Sequence, residues 1–134
     1  MRPAASSYNA LRTMQANRRV SGLERRFRGA LWAGGVRGYR LHAKLPGRPD
    51  LVFGRVQLAL FIHGCFWHQC PKGHLPAPKA NGEFWAKKFS ENRLRDDAAV
   101  EGLEALGWNV VIMWECDLRK DMAAAVDRIR AWLQ

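Results

Sequence analysis

The sequence predicts an α/β domain in which a mixed sheet is flanked by helices. Two short runs, Leu51–Phe53 and Val56–Ile62, are apolar on both faces, as central strands are. A third, Trp108–Trp114, follows a long helical stretch, and the element order reads α-β-β-β-α-β-α. The 134 residues are 48% hydrophobic, enough to bury one sizeable core.

The first twenty residues are polar and basic with little periodicity, partly helical at most around Tyr8–Gln15. They are expected to form a flexible arm (1–20) before a single domain (21–134). Ser21-Gly-Leu-Glu24 has the form of a capping box; Leu23, Phe27, Ala30 and Leu31 follow at helical spacing, and Gly34-Gly35 ends the helix. A short strand is expected at Tyr39–Leu41, then a stiff Leu45-Pro-Gly-Arg-Pro49 turn and a hairpin whose strands are separated by Gly54-Arg55. Residues 65–79 hold three Pro, two Cys and two His and read as a loop ordered by an ion. Asn81 opens a helical stretch through Phe89. A longer helix follows to Leu106, with Leu94, Ala98, Leu103 and Leu106 inward and Gly107 past its end. After the strand Trp108–Trp114 comes an amphipathic helix, Met122–Leu133, with Val126, Ile129 and Leu133 inward.

Charge narrows the partner. Residues 1–49 hold eleven Lys/Arg against one acid, whereas residues 50–134 are balanced at eleven each. A neutral body with a basic N-terminal third suits a polyanion, because each cation set against a phosphate releases condensed counterions. No apolar run approaches the roughly 20 residues of a membrane span, and the start has no apolar segment of a secretory signal. Three cysteines are an odd number and suit a reduced cytosolic chain in which they bind metal.

Cys65, Cys70, His74 and Cys116 would make up a tetrahedral zinc set with no position left for water, hence structural; the plainer reading is three free thiols in a loop and near a strand end. His68 competes with His74 for the fourth place. Asp50 at the entry to the hairpin, beside the end of its partner strand, is placed to hold Mg²⁺. His63 and His68 lie close by in sequence, and histidines near such an ion can deprotonate a water or protonate a leaving oxygen near neutral pH. Each has a plainer reading: Asp50 as a turn residue, the histidines as structural hydrogen-bonders, and Glu24 as the capping partner of Ser21.

Leu45-Pro-Gly-Arg-Pro-Asp50, Phe61-Ile-His-Gly-Cys-Phe-Trp-His68, Glu83-Phe-Trp85, Gly107-Trp108 and Trp114-Glu-Cys116 occur in the order seen in very short patch repair (Vsr) endonucleases, and the chain resembles them from about Thr13 to Leu118. The resemblance implies a restriction-endonuclease-like fold with a structural zinc. It also implies a Mg²⁺-dependent nick 5′ to the thymine of a T·G mismatch in double-stranded DNA, made by a monomer in a bacterial cytoplasm at the nucleoid. By position, Asp50 resembles the metal-bridging carboxylate and the Ile62 carbonyl a further ligand. His68 resembles the general base, Asp96 the acid that orients it, His63 the histidine near the scissile phosphate, and Glu24 the helix carboxylate that holds water of the metal's shell.

Phe66, Trp67, Trp85 and Met14 resemble the side chains that enter the base stack beside the mismatch, with Phe66 and Trp67 expected to be exposed. Arg18, Arg19, Arg25 and Arg26 would hold the DNA backbone. The chain departs from the family's best-known members at Ile62, where they carry threonine, at Cys70, where they carry histidine, and between Met14 and Glu24, a stretch one residue short. The second strand acid common in this fold is also missing, since Phe61-Ile62-His63 occupies that ground. A zinc-stabilised DNA-binding module without catalysis, or an endonuclease of the same fold acting on matched sites, would share most of these features. Association with a repair protein or methyltransferase is left open by the sequence.

Overall fold

A computed structural model describes residues 21–73 and 77–134. Met14, Arg18, Arg19 and His74, and the arm as a whole, lie outside the described residues.

Four strands form one sheet in the order β1 (Tyr39–Leu41), β2 (Leu51–Phe53), β3 (Leu58–His63), β4 (Asn109–Trp114). The first two pairings are antiparallel and β3–β4 is parallel, so the sheet is mixed as expected. A helix over residues 21–33 (α1) and two near the C-terminus, α3 (Glu115–Lys120) and α4 (Met122–Leu133), accompany α2 (Gly82–Ala105), which carries the chain from β3 to β4.

Strand β3 is buried along its whole length, and its alternation sorts the core. Leu58, Leu60 and Ile62 pack with Leu23, Phe27 and Leu31 of α1 and with Val126 and Ile129 of α4. Ala59 and Phe61 pack with Ala99 and Leu103 of α2. His63 shares the parity of Ala59 and Phe61 and so falls at the end of the face that α2 covers. The Pro46-Gly47 turn lies against the same helix: Gly47 has φ +73, and a Cβ there would stand 2.4 Å from the Ala99 methyl. Only glycine fits both the backbone and the space.

Helix α1 ends as its glycines predict. Gly34 N–H donates to the Ala30 carbonyl at 2.9 Å and Val36 N–H to that of Leu31 at 2.9 Å, around Gly35 at φ +81. Its start differs. Ser21 is already helical, so it is not a cap, and Glu24 Oε1 is buried with no hydrogen-bond partner among the described residues instead of reaching back to it. Val56 lies in a single 3₁₀ turn, Gly54–Val56, and β3 begins at Leu58 after Gln57 takes a left-handed φ of 50°.

The two helical stretches expected after Asn81 are one helix of 24 residues. Its inward stripe is Trp85, Phe89, Ala99 and Leu103, with half-buried Asn92 and Asp96 in the gap. Leu94 is 68% exposed, Ala98 and Leu106 are also exposed, and of the four expected inward residues only Leu103 is buried. Polar Asn92 and Asp96 hid the true stripe by occupying two of its positions. In β4 only Val111 and Met113 are fully buried. Helix α3 was not expected: β4 runs into it at Glu115 with no glycine or proline to mark the change. Helix α4 has the expected bounds and is capped by Asp121, which accepts from Ala124 N–H at 3.0 Å.

Candidate active site

Asp50 precedes β2, and the β2–β3 register sets it opposite the C-terminal end of β3. Leu51 pairs with Leu60, so Ile62 extends past the last β2 partner. Its free N–H donates to Asp50 Oδ2 at 2.7 Å. In an extended strand the N–H and C=O of one residue point to the same side, which turns the Ile62 carbonyl toward Asp50 as well.

Burial raises the Asp50 pKa from 3.8 to about 6. The Ile62 N–H opposes this, the Glu24 charge adds to it, and His42 and His68 pull it down. A carboxyl that resists ionisation beside a second carboxylate is a site short of positive charge. Glu24 Oε1, buried and without a hydrogen-bond partner among the described residues, points the same way. These oxygens suit a divalent cation.

A cavity of about 560 Å³ opens beside Asp50, lined also by Ile62, His63, His68 and Asp96, with Arg48, Asn92 and Arg95 around them. His68 is set by the turn after β3, where its N–H donates to the Gly64 carbonyl at 3.1 Å. Its Nδ1 lies 2.6 Å from Asp96 Oδ2, which assigns the ring proton to Nδ1 and leaves Nε2 free to accept. The His63 ring stacks flat on His68 with centroids 3.7 Å apart and meets Trp114 edge-on at 5.2 Å. Burial, with the neighbouring His68 second, lowers the His63 pKa to about 4, so this ring is neutral near pH 7. Its Nε2 stands 4.0 Å from Asp96 Oδ1, beyond hydrogen-bond reach.

These shifts act on stability in opposite directions. Between pH 3.8 and 6 the native state holds the Asp50 proton that the unfolded chain has lost, so stability falls as pH rises through that window. For His63 the unfolded chain takes up a proton first as pH falls from 6.5 to 4, so stability rises with pH. Asp50→Asn removes the first slope. Its melting temperature, in buffer without added divalent ions, should climb more steeply than that of the wild type from pH 4 to 6; parallel profiles would contradict the raised carboxyl.

The cysteines meet on the far side of the turn. Backbone bonds from Cys70 to Cys65 (3.1 Å) and from Gly73 to Cys70 (2.9 Å) wind the loop so that both thiols face Cys116 at the start of α3. The three sulfurs lie within 4.8 Å of one another, with Cys70 and Cys116 at 3.7 Å. Burial, more than the neighbouring thiols, pushes Cys65 up to about 12. Sulfurs on a tetrahedral zinc with bonds of ~2.3 Å stand about 3.8 Å apart, so the spacing fits that ion. Buried Glu115 ties the loop to α3: its Oε1 accepts from Cys65 N–H at 3.1 Å and its Oε2 from Arg119 at 3.3 Å. As an acid between Trp114 and Cys116, Glu115 carried no signal of its own in the sequence.

The aromatic group differs from expectation. Phe66 is 1% exposed and Trp85 2% exposed; with Phe89 they form a closed cluster, Phe66 meeting Trp85 and Phe89 edge-on at 5.3 and 5.5 Å. The polar neighbours of Phe66 suggested a surface loop, but α2 supplies an apolar wall that local sequence does not reveal. Trp67 and Phe84 are half-buried at its edge, and Asn92 Nδ2 donates to the Trp67 carbonyl at 3.1 Å. Arg25 and Arg26 are exposed on α1.

Residues 8–72 match the family model described as DNA mismatch endonuclease Vsr. The DNA mismatch endonuclease Vsr of Escherichia coli (strain K12) is 35% identical over 119 residues, 86% of this chain and 76% of that protein. This chain belongs to the Vsr family of DNA mismatch endonucleases. The type II nicking enzyme V.XorIIP of Xanthomonas oryzae pv. oryzae is 45% identical over 95 residues, 69% of this chain and 68% of its own. V.NaeI of Lentzea aerocolonigenes, also a type II nicking enzyme, is 39% identical over 131 residues, 92% and 78% respectively.

For a Vsr-family enzyme, the cleft at the end of β3 is where sequence and structure converge: Asp50, Ile62, His63, His68 and Asp96 all line it. Sequence reasoning missed His42, whose Nε2 lies 3.6 Å from Glu24 Oε1, as well as Arg48, Asn92 and Arg95. Among the described residues no helix is long and apolar enough to cross a membrane.

Proposed function

We propose that this protein nicks one strand of double-stranded DNA 5′ to the thymine of a T·G mismatch, acting as a monomer through the cleft at the end of β3. The observation that carries this is the single hydrogen-bonded line from Asp96 through His68 into the cleft that Asp50 borders, with Nδ1–Oδ2 at 2.6 Å. A DNA-binding module would have no use for a histidine held in one tautomer beside a desolvated carboxylate. The mixed sheet, with Asp50 at a strand entry, is consistent with a restriction-endonuclease-like fold. The single domain 21–134 would carry the chemistry and the basic arm 1–20 would add affinity.

Asp50, the Ile62 carbonyl and Glu24 would hold Mg²⁺, which when bound offsets charge on the phosphate and on the departing 3′-oxygen. His68 Nε2 takes the proton of the attacking water, and Asp96 holds the Nδ1 proton and stabilises the imidazolium that forms. His63, kept neutral by burial, offers the phosphate a hydrogen bond rather than a charge. Arg25 and Arg26, with Arg18 and Arg19 of the arm, would grip the backbone without reading bases.

The wedge is led by Trp67, the half-buried edge of the cluster, with Phe66 and Trp85 behind it and Met14 approaching from the arm. Unstacking a step costs less at a mismatch, so an apolar wedge favours mispaired DNA. On labelled duplexes differing only in one T·G or T·A pair, the wild type should nick the thymine strand of T·G. Trp67→Ala should bring the two rates together; an unchanged ratio would remove Trp67 from mismatch recognition.

Zinc would be held by Cys65, Cys70 and Cys116 with His74, and its role would be to pin the loop that carries Phe66, Trp67 and His68. One zinc per chain is expected by elemental analysis. Cys116→Ser should lose it and lower the melting midpoint by about 10 °C or more, the effect of a few kcal/mol. A zinc-free wild type with the same midpoint would rule this out.

A further inference from the structure

Near Asp50 stands a third ligating side chain that neither the motifs nor the mechanism above uses. His42 follows β1, and its N–H donates to the Asp50 carbonyl at 3.2 Å. Its φ is +48, a left-handed conformation that a side-chain-bearing residue adopts at a cost. From that turn its Nε2 comes to 3.6 Å from Glu24 Oε1, too far for a hydrogen bond. Among the described residues Glu24 Oε1 is itself buried with no hydrogen-bond partner.

One donor atom each from Glu24, His42 and Asp50 lies within 4.8 Å of the others. Ligands at ~2.1 Å from one ion stand about 3 Å apart when adjacent and about 4.2 Å when opposite, so the three span a single coordination sphere with little adjustment. The side chain of His42 is 58% exposed, which leaves the site open for an ion to enter from solvent.

Building on the reading of Asp50 as a metal carboxylate, we propose that His42 is a direct nitrogen ligand of that ion. The site is then of mixed nitrogen and oxygen type and favours Mn²⁺ over Mg²⁺. Magnesium prefers oxygen ligands, whereas imidazole raises affinity along the first transition row. Without His42 the same position is an all-oxygen site.

Metal affinity of the full chain without DNA tests this directly, with free Mn²⁺ read by electron paramagnetic resonance and Mg²⁺ as competitor. His42→Gly removes the imidazole and relaxes the left-handed turn, so this variant should melt no lower than the wild type. The wild type should hold Mn²⁺ at least about tenfold more tightly than Mg²⁺, as a nitrogen donor implies. His42→Gly should lose about tenfold in Mn²⁺ affinity and less than about threefold in Mg²⁺ affinity. Asp50→Asn should lose both. Unchanged Mn²⁺ affinity in His42→Gly, with loss in Asp50→Asn, overturns the role of His42 and leaves that of Asp50. Retention of both ions in Asp50→Asn overturns the underlying metal site, and a wild type without Mn²⁺ preference overturns the mixed donor set.

Discussion

Asp50→Ala is expected to abolish nicking, with a single-turnover rate at least about 10³-fold below the wild type, because the cation it is proposed to hold would be worth several kcal/mol of transition-state stabilisation. Duplex binding should change little. The basic residues proposed to grip the backbone lie within residues 1–20 and on α1, and removing a buried negative charge from the cleft should not weaken them. The burial that raises the Asp50 pKa to about 6 also means that the position tolerates a neutral side chain. Alanine should therefore fold well, and the loss should be one of chemistry. Cutting and binding measured on the same labelled duplex separate the two. A variant that binds and still cuts would remove Asp50 from the mechanism.

The second large effect is expected at the His68–Asp96 pair. His68→Ala should slow the chemical step by roughly 10²- to 10⁴-fold, the usual contribution of a positioned base. Asp96→Asn is the more informative change, since an amide keeps the shape but can donate to Nδ1. That would favour the tautomer with its proton on Nε2, the nitrogen that must accept. A loss of similar size, up to about 10⁴-fold, is expected with little change in DNA affinity. The double variant should be barely worse than either single one, because the two residues act as a unit. Additive losses would mean that Asp96 acts independently of His68. The stacked ring of His63 sharpens the case: with centroids 3.7 Å apart, the two imidazoles disfavour joint protonation, and the buried one stays neutral.

The central strands β2 and β3 were legible in sequence because they are short, apolar on both faces and bounded by turn residues; Leu51–Phe53 matches residue for residue, as does the edge strand Tyr39–Leu41. Helix α2 shows where such reading fails. Its inward stripe runs Trp85, Phe89, Asn92, Asp96, Ala99 and Leu103, and the two polar members are the ones beside the site. Hydrophobic periodicity cannot distinguish a polar residue facing a cleft from one facing water, so Leu94 was assigned inward although it is exposed. Phe66 failed for the complementary reason: its buried wall is α2, which begins sixteen residues later in the chain.

The site itself was readable where function compresses residues into a motif, as in residues 45–50 and 61–68. It was not readable at His42, which reaches Glu24 only through a left-handed turn, or at Glu115, which reaches Cys65 across fifty residues.

The most direct measurement is Mg²⁺-dependent nicking of end-labelled duplexes that are identical except for one central T·G, T·A or C·G pair. The central pair would sit in a randomised pool of flanking bases, and wild type would be run beside Asp50→Ala. A nick confined to the thymine strand of T·G, and lost in Asp50→Ala, is the expected result. Equal cutting of matched duplexes would contradict mismatch recognition, and tight binding without cutting of any pool member would contradict a nuclease at the end of β3.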